Sequence, residues 1–311
     1  MRAAVLREYG VPSPGEFEEP AAAGPDQAVL EVLAAGVNPV DVSIAAGRFY
    51  AGKPPLPSVA GREGVGTLDG ARVYFDAPIA PFGSMAERAL VDPASTYPVP
   101  DGLDEGVAIA LGISGLAAWL ALTWRADVQP GEHVLVLGAS GVLGQIAVQG
   151  AKLLGAARVV AAARSAEGLE RCLALGADAA VRLGEPDDLP AALRAAAEDR
   201  IDVVIDPVYG EPLVAAVNAA SFGARLVQIG AGAAAEATIP SAPIRGKMLV
   251  LMGHTNFAAP PEVKREAYGR MAELAASGEI VVDVDRIPLE QVAEAWERLG
   301  AGSHRKLVLV P

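Results

Sequence analysis

Apolar positions follow two different rhythms along the chain. In the first hundred residues they come as short runs, Ala3–Leu6, Ala28–Leu33, Ala71–Phe75 and Ala86–Val91, set apart by frequent glycine and proline. Short strands separated by turn residues predict a small β-barrel or sandwich. From about Leu135 the pattern becomes strand, helix, strand, repeated: predicted buried strands are Val134–Leu137, Arg158–Ala162, Ala179–Leu183, Asp202–Ile205, Arg225–Ile229 and Met248–Met252. Helical periodicity lies between them at Leu143–Leu154, Ala166–Leu175, Leu189–Ala197 and Glu211–Ala220, which predicts a parallel sheet covered on both faces. The tail reads as a helix (Glu262–Ala276), a strand (Ile280–Asp285), a helix (Leu289–Leu299) and a closing strand (Lys306–Val310). One stretch, Val107–Trp124, runs 18 residues without a charge. It carries Gly112, Ser114 and Gly115 and falls short of the roughly 20 strongly apolar residues of a membrane span, so it predicts a buried helix pair.

Composition narrows the classes of function. With 25 Lys and Arg against 38 Asp and Glu among 311 residues, the formal charge is -13, which argues against a nucleic-acid-coating role and its concentrated basic face. At 52% hydrophobic and 20% charged, the chain can bury a large core, and its length suggests about two domains. The single cysteine, Cys172, excludes an internal disulfide and a zinc site built on several thiolates. A reducing cytoplasmic location is expected, and the apolar start Ala3–Leu6 meets Arg7 and Glu8 too soon for a secretory signal.

The strongest local signal is Val134-Leu-Val-Leu-Gly138-Ala-Ser140-Gly141-Val142-Leu143-Gly144, an apolar strand, a glycine turn and the start of an apolar-periodic helix. Gly138 suits a tight turn, Gly141 a close approach of backbone to pyrophosphate, and Gly144 close packing of helix on strand. The helix N-terminus offers N–H groups to the anion. The spacing, G-x-x-G-x-x-G, is a variant of the dinucleotide-binding fingerprint in a strand-turn-helix context, the alternative being a plain βα turn. When the cofactor is NAD, an acid about 20 residues beyond the first glycine usually accepts from the ribose diol. Here the second strand ends in Ala163-Arg164-Ser165 with no acid. A guanidinium and a hydroxyl suit a 2′-phosphate, so the expected cofactor is NADPH, with Arg182 or Lys306 as competing phosphate partners.

Further segments carry a family likeness: Gly36-Val-Asn38-Pro-Val-Asp41, Ala60-Gly61-Arg62-Glu63-Gly64-Val65-Gly66, Gly83-Ser-Met-Ala-Glu87, Leu175-Gly-Ala-Asp178 and Lys306-Leu-Val-Leu-Val-Pro311. With the glycine loop and in this order, they make the chain resemble the zinc-independent quinone oxidoreductases of the medium-chain dehydrogenase/reductase superfamily. The resemblance implies an α/β protein: a GroES-like β-barrel catalytic domain from residues 1–111 and 256–311, and a Rossmann doubly wound parallel sheet over 112–255.

In related zinc alcohol dehydrogenases a cysteine stands at the position of Asn38 and a histidine at that of Arg62, so no metal is expected here. Polarisation of a carbonyl then falls to hydrogen-bond donors, to water or to a conjugated substrate's own electrophilicity. Asn38 is a candidate donor to a substrate oxygen or a structural loop amide; Asp41 a candidate to orient it, or an anchor. Arg62 either stabilises an enolate or pairs with Glu63, Asp41 or another acid. Tyr50 falls in a stretch resembling the family's substrate-side loop. Ala117 stands where the family often has a threonine near the nicotinamide. Val208 and Gly230, at strand ends, and His254, Thr255 and Asn256, after the last sheet strand, are candidates for the nicotinamide side. The expected activity is NADPH-dependent hydride transfer to a quinone, enone or similar conjugated carbonyl. The alternatives are a 2-enoyl thioester reductase and an NADPH-binding protein without turnover. The expected partners are a small-molecule conjugated carbonyl and a second copy of the chain, paired through the apolar strand near Met248–Met252, with no nucleic acid and no membrane.

Overall fold

The computed structural model describes residues 1–311, which divide into two compact units. Unit 1 holds Met1–Ser114 and Pro261–Pro311, and unit 2 holds Gly115–Pro260. These junctions lie three to five residues beyond the boundaries read from the sequence.

Unit 1 is built on a seven-stranded sheet whose central member, Ala28–Gly36, pairs antiparallel with Gly64–Leu68, Arg88–Val91 and Lys306–Val310. A smaller sheet joins Arg2–Leu6 to Ser13–Glu16 and Ser58–Val59. The C-terminal strand lies beside Gly36, so the two ends of the chain share one core, in which Leu30, Ala35, Phe75, Val292, Leu307 and Leu309 are buried.

Several of these elements escape a periodicity reading. Gly64-Val-Gly-Thr-Leu68 looks like a turn, yet it is a central strand. A side chain on Gly64 or Gly66 would begin 2.8 Å from the Ala34 oxygen or 2.5 Å from that of Glu31, so glycine is what lets this strand approach its neighbour. The short helix Pro39–Ala45 has proline in its first turn and a capping box between Asn38 and Asp41. The strand expected at Ile280–Asp285 sits at Val284–Pro288 instead, where it lies in parallel register with Lys306–Val310. Ile280 is spent earlier, buried in the turn that closes helix Pro261–Ala276.

Unit 2 is a six-stranded parallel sheet in the spatial order Ala179–Arg182, Arg158–Ala163, His133–Leu137, Val203–Asp206, Arg225–Gln228, Val250–Gly253. The winding reverses beside His133–Leu137, and ligands of such sheets bind at the carboxyl ends of the strands next to that reversal. Strand residues Leu135, Leu137, Val160, Val204 and Leu226 pack with Leu193, Leu213 and Val217 of two covering helices. The expected strand Met248–Met252 begins only at Val250, because Met248 turns through a positive φ of 52°.

The uncharged stretch is helical from Glu105 to Arg125, long and apolar enough by composition to cross a membrane, with 78% of its apolar window buried inside the fold. The predicted helix pair is one helical path interrupted at Gly112, whose ψ of -116° is not helical. Any side chain there would overlap the Tyr74 phenol.

Candidate functional site

In unit 2 the glycine loop follows strand His133–Leu137 and opens helix Val142–Leu153. Gly138 has φ +60°, and a Cβ on it would fall 2.6 Å from Cγ1 of Val208, so the loop and the end of the fourth strand are in contact. A Cβ on Gly144 would meet Cα of Ala139 at 2.5 Å, which is the close packing of helix on strand that this glycine serves. Gly141 differs: its nearest neighbour on that side is the Gly138 oxygen at 3.7 Å, leaving space for a ligand. Buried Gln145 braces the turn from within the helix, its Nε2 donating to the Ser140 oxygen at 2.8 Å. The first N–H groups of the helix, those of Val142, Leu143 and Gly144, lack intrahelical acceptors and follow directly on the Ser140-Gly141 turn.

Arg164 is exposed where Arg158–Ala163 ends. Its carbonyl accepts from Nε of Arg182, at the end of the neighbouring strand, at 3.0 Å, so two arginines lie side by side. Arg182 also pairs with Glu185, leaving Arg164 as the more available cation. Ser165 caps helix Ala166–Ala174, its Oγ accepting from the Gly168 N–H at 3.1 Å. Lys306, weighed as a phosphate partner from sequence, is corrected by the structure: it is 1% exposed and spends its ammonium inside unit 1.

At the switch point, Val208 and Gly230 come together with a residue that periodicity missed. Asp206 is fully buried at the end of Val203–Asp206, its Oδ1 accepting from the N–H groups of Val208 at 2.9 Å and Tyr209 at 2.8 Å. Burial pushes its carboxyl up to about 6, opposed by those two hydrogen bonds. The turn it holds contains Tyr209 at φ 60°, ψ -160°, a conformation that is essentially glycine's. The sequence carried one signal for Asp206: an acid closing an apolar strand needs partners. A Cβ on Gly230 would lie 2.8 Å from the Pro207 oxygen, so this loop and the Asp206 turn are packed against each other. Further along, His254 is buried, its Nε2 3.0 Å from Oδ1 of Asn256, and burial lowers its pKa. Ala117 is buried in helix Leu116–Leu120.

In unit 1 the predicted catalytic residues divide. Asn38 and Asp41 meet in a buried polar network centred on Glu63. Oε1 of Glu63 accepts from Nδ2 of Asn38 at 2.8 Å and from Lys306 at 2.7 Å; Oε2 accepts from the Tyr74 hydroxyl at 2.8 Å and from the Ile113 N–H at 2.7 Å. Lys306 also donates to Oδ1 of Asn38 at 2.7 Å. Both ends of the Asn38 amide are therefore engaged. Oδ2 of Asp41 accepts from the Asn38 N–H at 2.8 Å, and its carboxyl rises to about 7, first because it is desolvated and next because Glu63 is negative.

Glu63 is thus the partner of Lys306. Arg62 lines a cavity and acts electrostatically on half-buried Asp76, whose carboxyl is raised by desolvation while Lys264 and Arg62 oppose the shift. That cavity, about 300 Å³, is walled by Ile44, Phe49, Pro78 and Phe82 and carries Asp41, Ser58 and Arg62 as polar lining. Tyr50 is 75% exposed against Phe49; Phe49 and Ala51 line the cavity on either side of it, and Tyr50 does not.

The donor set does not fit a zinc ion. An ammonium sits among Asn38 and Glu63, Arg62 brings a second cation, and no three His, Cys, Asp or Glu side chains converge as ligands.

A GroES-like unit formed by both chain ends together with a Rossmann unit defines the medium-chain dehydrogenase/reductase class. Residues 24–74 match the alcohol dehydrogenase GroES-like domain, and residues 142–276 match the zinc-binding dehydrogenase domain. The human quinone oxidoreductase is 31% identical over 330 aligned positions, covering 100% of this chain and 98% of that one. The quinone oxidoreductase of Thermus thermophilus, whose structure is described with its NADPH complex, is 32% identical with a TM-score of 0.86 and full coverage of both chains. The Escherichia coli quinone oxidoreductase complexed with NADPH shares the fold at a TM-score of 0.90 and 23% identity over the whole of both chains. The chain belongs to the quinone oxidoreductase family and is an oxidoreductase.

Proposed function

We propose that this protein is an NADPH-dependent, zinc-independent reductase that moves hydride to a quinone, an enone or a similar conjugated carbonyl. The observation that carries the cofactor reading is the end of strand Arg158–Ala163. Arg164 stands there, Arg182 donates to its carbonyl, and no acid occupies the position where NAD's ribose diol needs an acceptor. The open side of Gly141 and the amino end of helix Val142–Leu153 fit a pyrophosphate. The relatives described with NADPH support the same reading.

When bound, NADPH supplies the hydride from its nicotinamide ring. The chain's own residues do the rest: the glycine loop holds the pyrophosphate, Arg164 the 2′-phosphate, and the Asp206 turn keeps Val208 against Gly138. A conjugated carbonyl accepts hydride with its oxyanion delocalised, so modest electrostatic help suffices and no Lewis acid is required. For partners we infer a homodimer in the cytoplasm, paired at the sheet edge Val250–Gly253, where Val250 and Leu251 are exposed and Met248 is 65% exposed. A monomeric mass by light scattering at micromolar protein overturns that pairing.

The test of activity is NADPH and NADH consumption with quinones, enones and enoyl thioesters. Turnover of quinones or enones with NADPH at least tenfold preferred over NADH is expected. Turnover confined to enoyl thioesters, or tight NADPH binding with no turnover, overturns the reading.

A further inference from the structure

The cavity of unit 1 is lined by a carboxyl with one oxygen unaccounted for. Asp41 is 3% exposed, and its Oδ2 accepts from the main-chain N–H of Asn38 at 2.8 Å and from the Asn38 amide at 3.2 Å, completing the cap of helix Pro39–Ala45. Oδ1 has no protein partner, although Asp41 lines the cavity. Native structures rarely leave such an atom unsatisfied, and one that is left generally serves a ligand or an ordered water. The capping bonds hold the side chain, so Oδ1 cannot turn away to a partner elsewhere.

We propose that Asp41 is the proton donor of the reaction, giving the proton on Oδ1 to the substrate oxygen, directly or across one ordered water. The assignment rests on the reading that the chain reduces conjugated carbonyls with NADPH, and it adds the source of the proton that such a reduction consumes. The substrate carbon takes up the hydride in a new C–H bond, and the π electrons move to the carbonyl oxygen. The Oδ1–H bond then breaks and an O–H bond forms on the substrate. Asp41 is left as a carboxylate and regains its proton from water after the product leaves. The carbonyl compound gains two electrons, which NADPH loses, so no further reactant is needed.

Acid strength singles out Asp41 among the side chains that bring polar groups to this cavity, which are Asp41, Lys53, Ser58 and Arg62. A guanidinium does not give up its proton, and a serine hydroxyl is far too weak an acid, so Arg62 and Ser58 can only hydrogen-bond. Lys53 is exposed, its ammonium 5.4 Å from the centre of the Tyr9 ring. Beyond the lining, Glu63 accepts from four donors, and the Tyr74 hydroxyl is one of them. Burial raises the Asp41 carboxyl most, Glu63 adds to the shift and Lys306 opposes it, which brings it to about 7; Arg62 and Lys53 are the other charges on the cavity. A carboxyl of ordinary strength is ionised at neutral pH and has no proton to give. One raised to about 7 keeps its proton about half the time there and is readily recharged.

Asp41→Asn keeps an oxygen for the helix cap and replaces Oδ1 by an amide N–H₂, which can donate a hydrogen bond but cannot transfer a proton. With NADPH and an enone, kcat and kcat/KM should both fall at least about a hundredfold, the lower end for general acid catalysis, with KM for the enone and Kd for NADPH changed less than about threefold. In the wild type kcat/KM, which reports the free enzyme, should fall about tenfold per pH unit above about 7 as the donor loses its proton, and the variant should lose that dependence. Infrared titration of the cofactor-free protein reads the same carboxyl without turnover. The carbonyl stretch of a protonated carboxyl, in the difference between wild type and Asp41→Asn, should vanish with a midpoint near 7. A midpoint in the ordinary carboxylate range, or more than about a third of the wild-type kcat/KM left in Asp41→Asn, overturns the proposal. Should Asp41→Asn fail to fold, the wild type decides alone, and a kcat/KM flat from about pH 6 to about pH 9 overturns it. Because the infrared titration needs no NADPH, its failure is distinct from absence of NADPH-dependent turnover.

Discussion

Replacing Lys306 by methionine removes the ammonium from beside a carboxylate with no access to solvent. The side chains of Lys306 and Glu63 are 2% and 0% exposed, with Nζ and Oε1 2.7 Å apart. Breaking a buried ion pair by deleting one partner costs about 3–5 kcal/mol, because the survivor keeps its charge without compensation. Glu63 retains three donors, Nδ2 of Asn38, the Tyr74 hydroxyl and the Ile113 N–H, so the lower end, about 3 kcal/mol, is expected. The same bond ties strand Lys306–Val310 to residues near the other end of the chain, so its loss should be felt throughout unit 1. Global unfolding of a chain with two units is not a single transition. Amide hydrogen exchange of strands Ala28–Gly36 and Gly64–Leu68 reads unit 1 directly. A loss of about 3 kcal/mol corresponds to exchange roughly a hundredfold faster. Pairing the change with Glu63→Gln should recover much of the loss, since no buried charge then remains. Acceleration below about fivefold in Lys306→Met, or a double variant worse than the sum of both singles, refutes the argument.

Arg164→Ala should lower kcat/KM for NADPH by roughly 10- to 100-fold, the value of about 1.5–3 kcal/mol for a hydrogen bond to a charged group, while leaving NADH nearly unchanged. Arg164→Asp should go further by repelling the phosphate, and a change in cofactor preference below about threefold for Arg164→Ala contradicts the assignment. The carboxyls of Asp41 and Asp206, raised from 3.8 to about 7 and about 6, hold protons that the unfolded chain has already released in that window. Stability should therefore fall as pH rises from about 4 to about 7, by at most about 1.4 kcal/mol per pH unit for each group, and level off above. Urea midpoints between pH 4.5 and 8 check this: Asp206→Asn should flatten the slope, and an unchanged slope in that variant speaks against it. Gly112→Ala should destabilise unit 1 by about 2–3 kcal/mol, because its methyl overlaps the Tyr74 phenol that donates to Glu63; thermal unfolding unchanged within about 1 °C sinks that prediction.

Local chemistry was enough to read the strand, glycine turn and helix that open unit 2. The apolar strand, the three spaced glycines and the helix after them are consecutive in sequence, and each glycine's role follows from backbone geometry that neighbours impose. The parallel strands were legible for a similar reason, since strands buried on both faces must be continuously apolar. Strand Gly64–Leu68 was not legible, because its glycines answer to a backbone far away in sequence, at Glu31 and Ala34, rather than to any local preference. The end of the chain was misplaced by a few residues at Val284–Pro288, where ladder register outweighs the apolar run before it.

In unit 1, residue types pointed to Asn38, Asp41 and Arg62, but types cannot say which acid a cation meets. From the sequence, Arg62 was a candidate partner of Glu63, and Lys306 was weighed only as a phosphate partner. Only folding, by laying the last strand beside Gly36, delivers Lys306 to Glu63 from 243 positions away and leaves Arg62 to the cavity and Asp76. The unpartnered oxygens of Asp41 and Ser58 are likewise invisible along the chain, because satisfaction of a polar atom depends on which groups surround it in space, and on burial that no local pattern encodes.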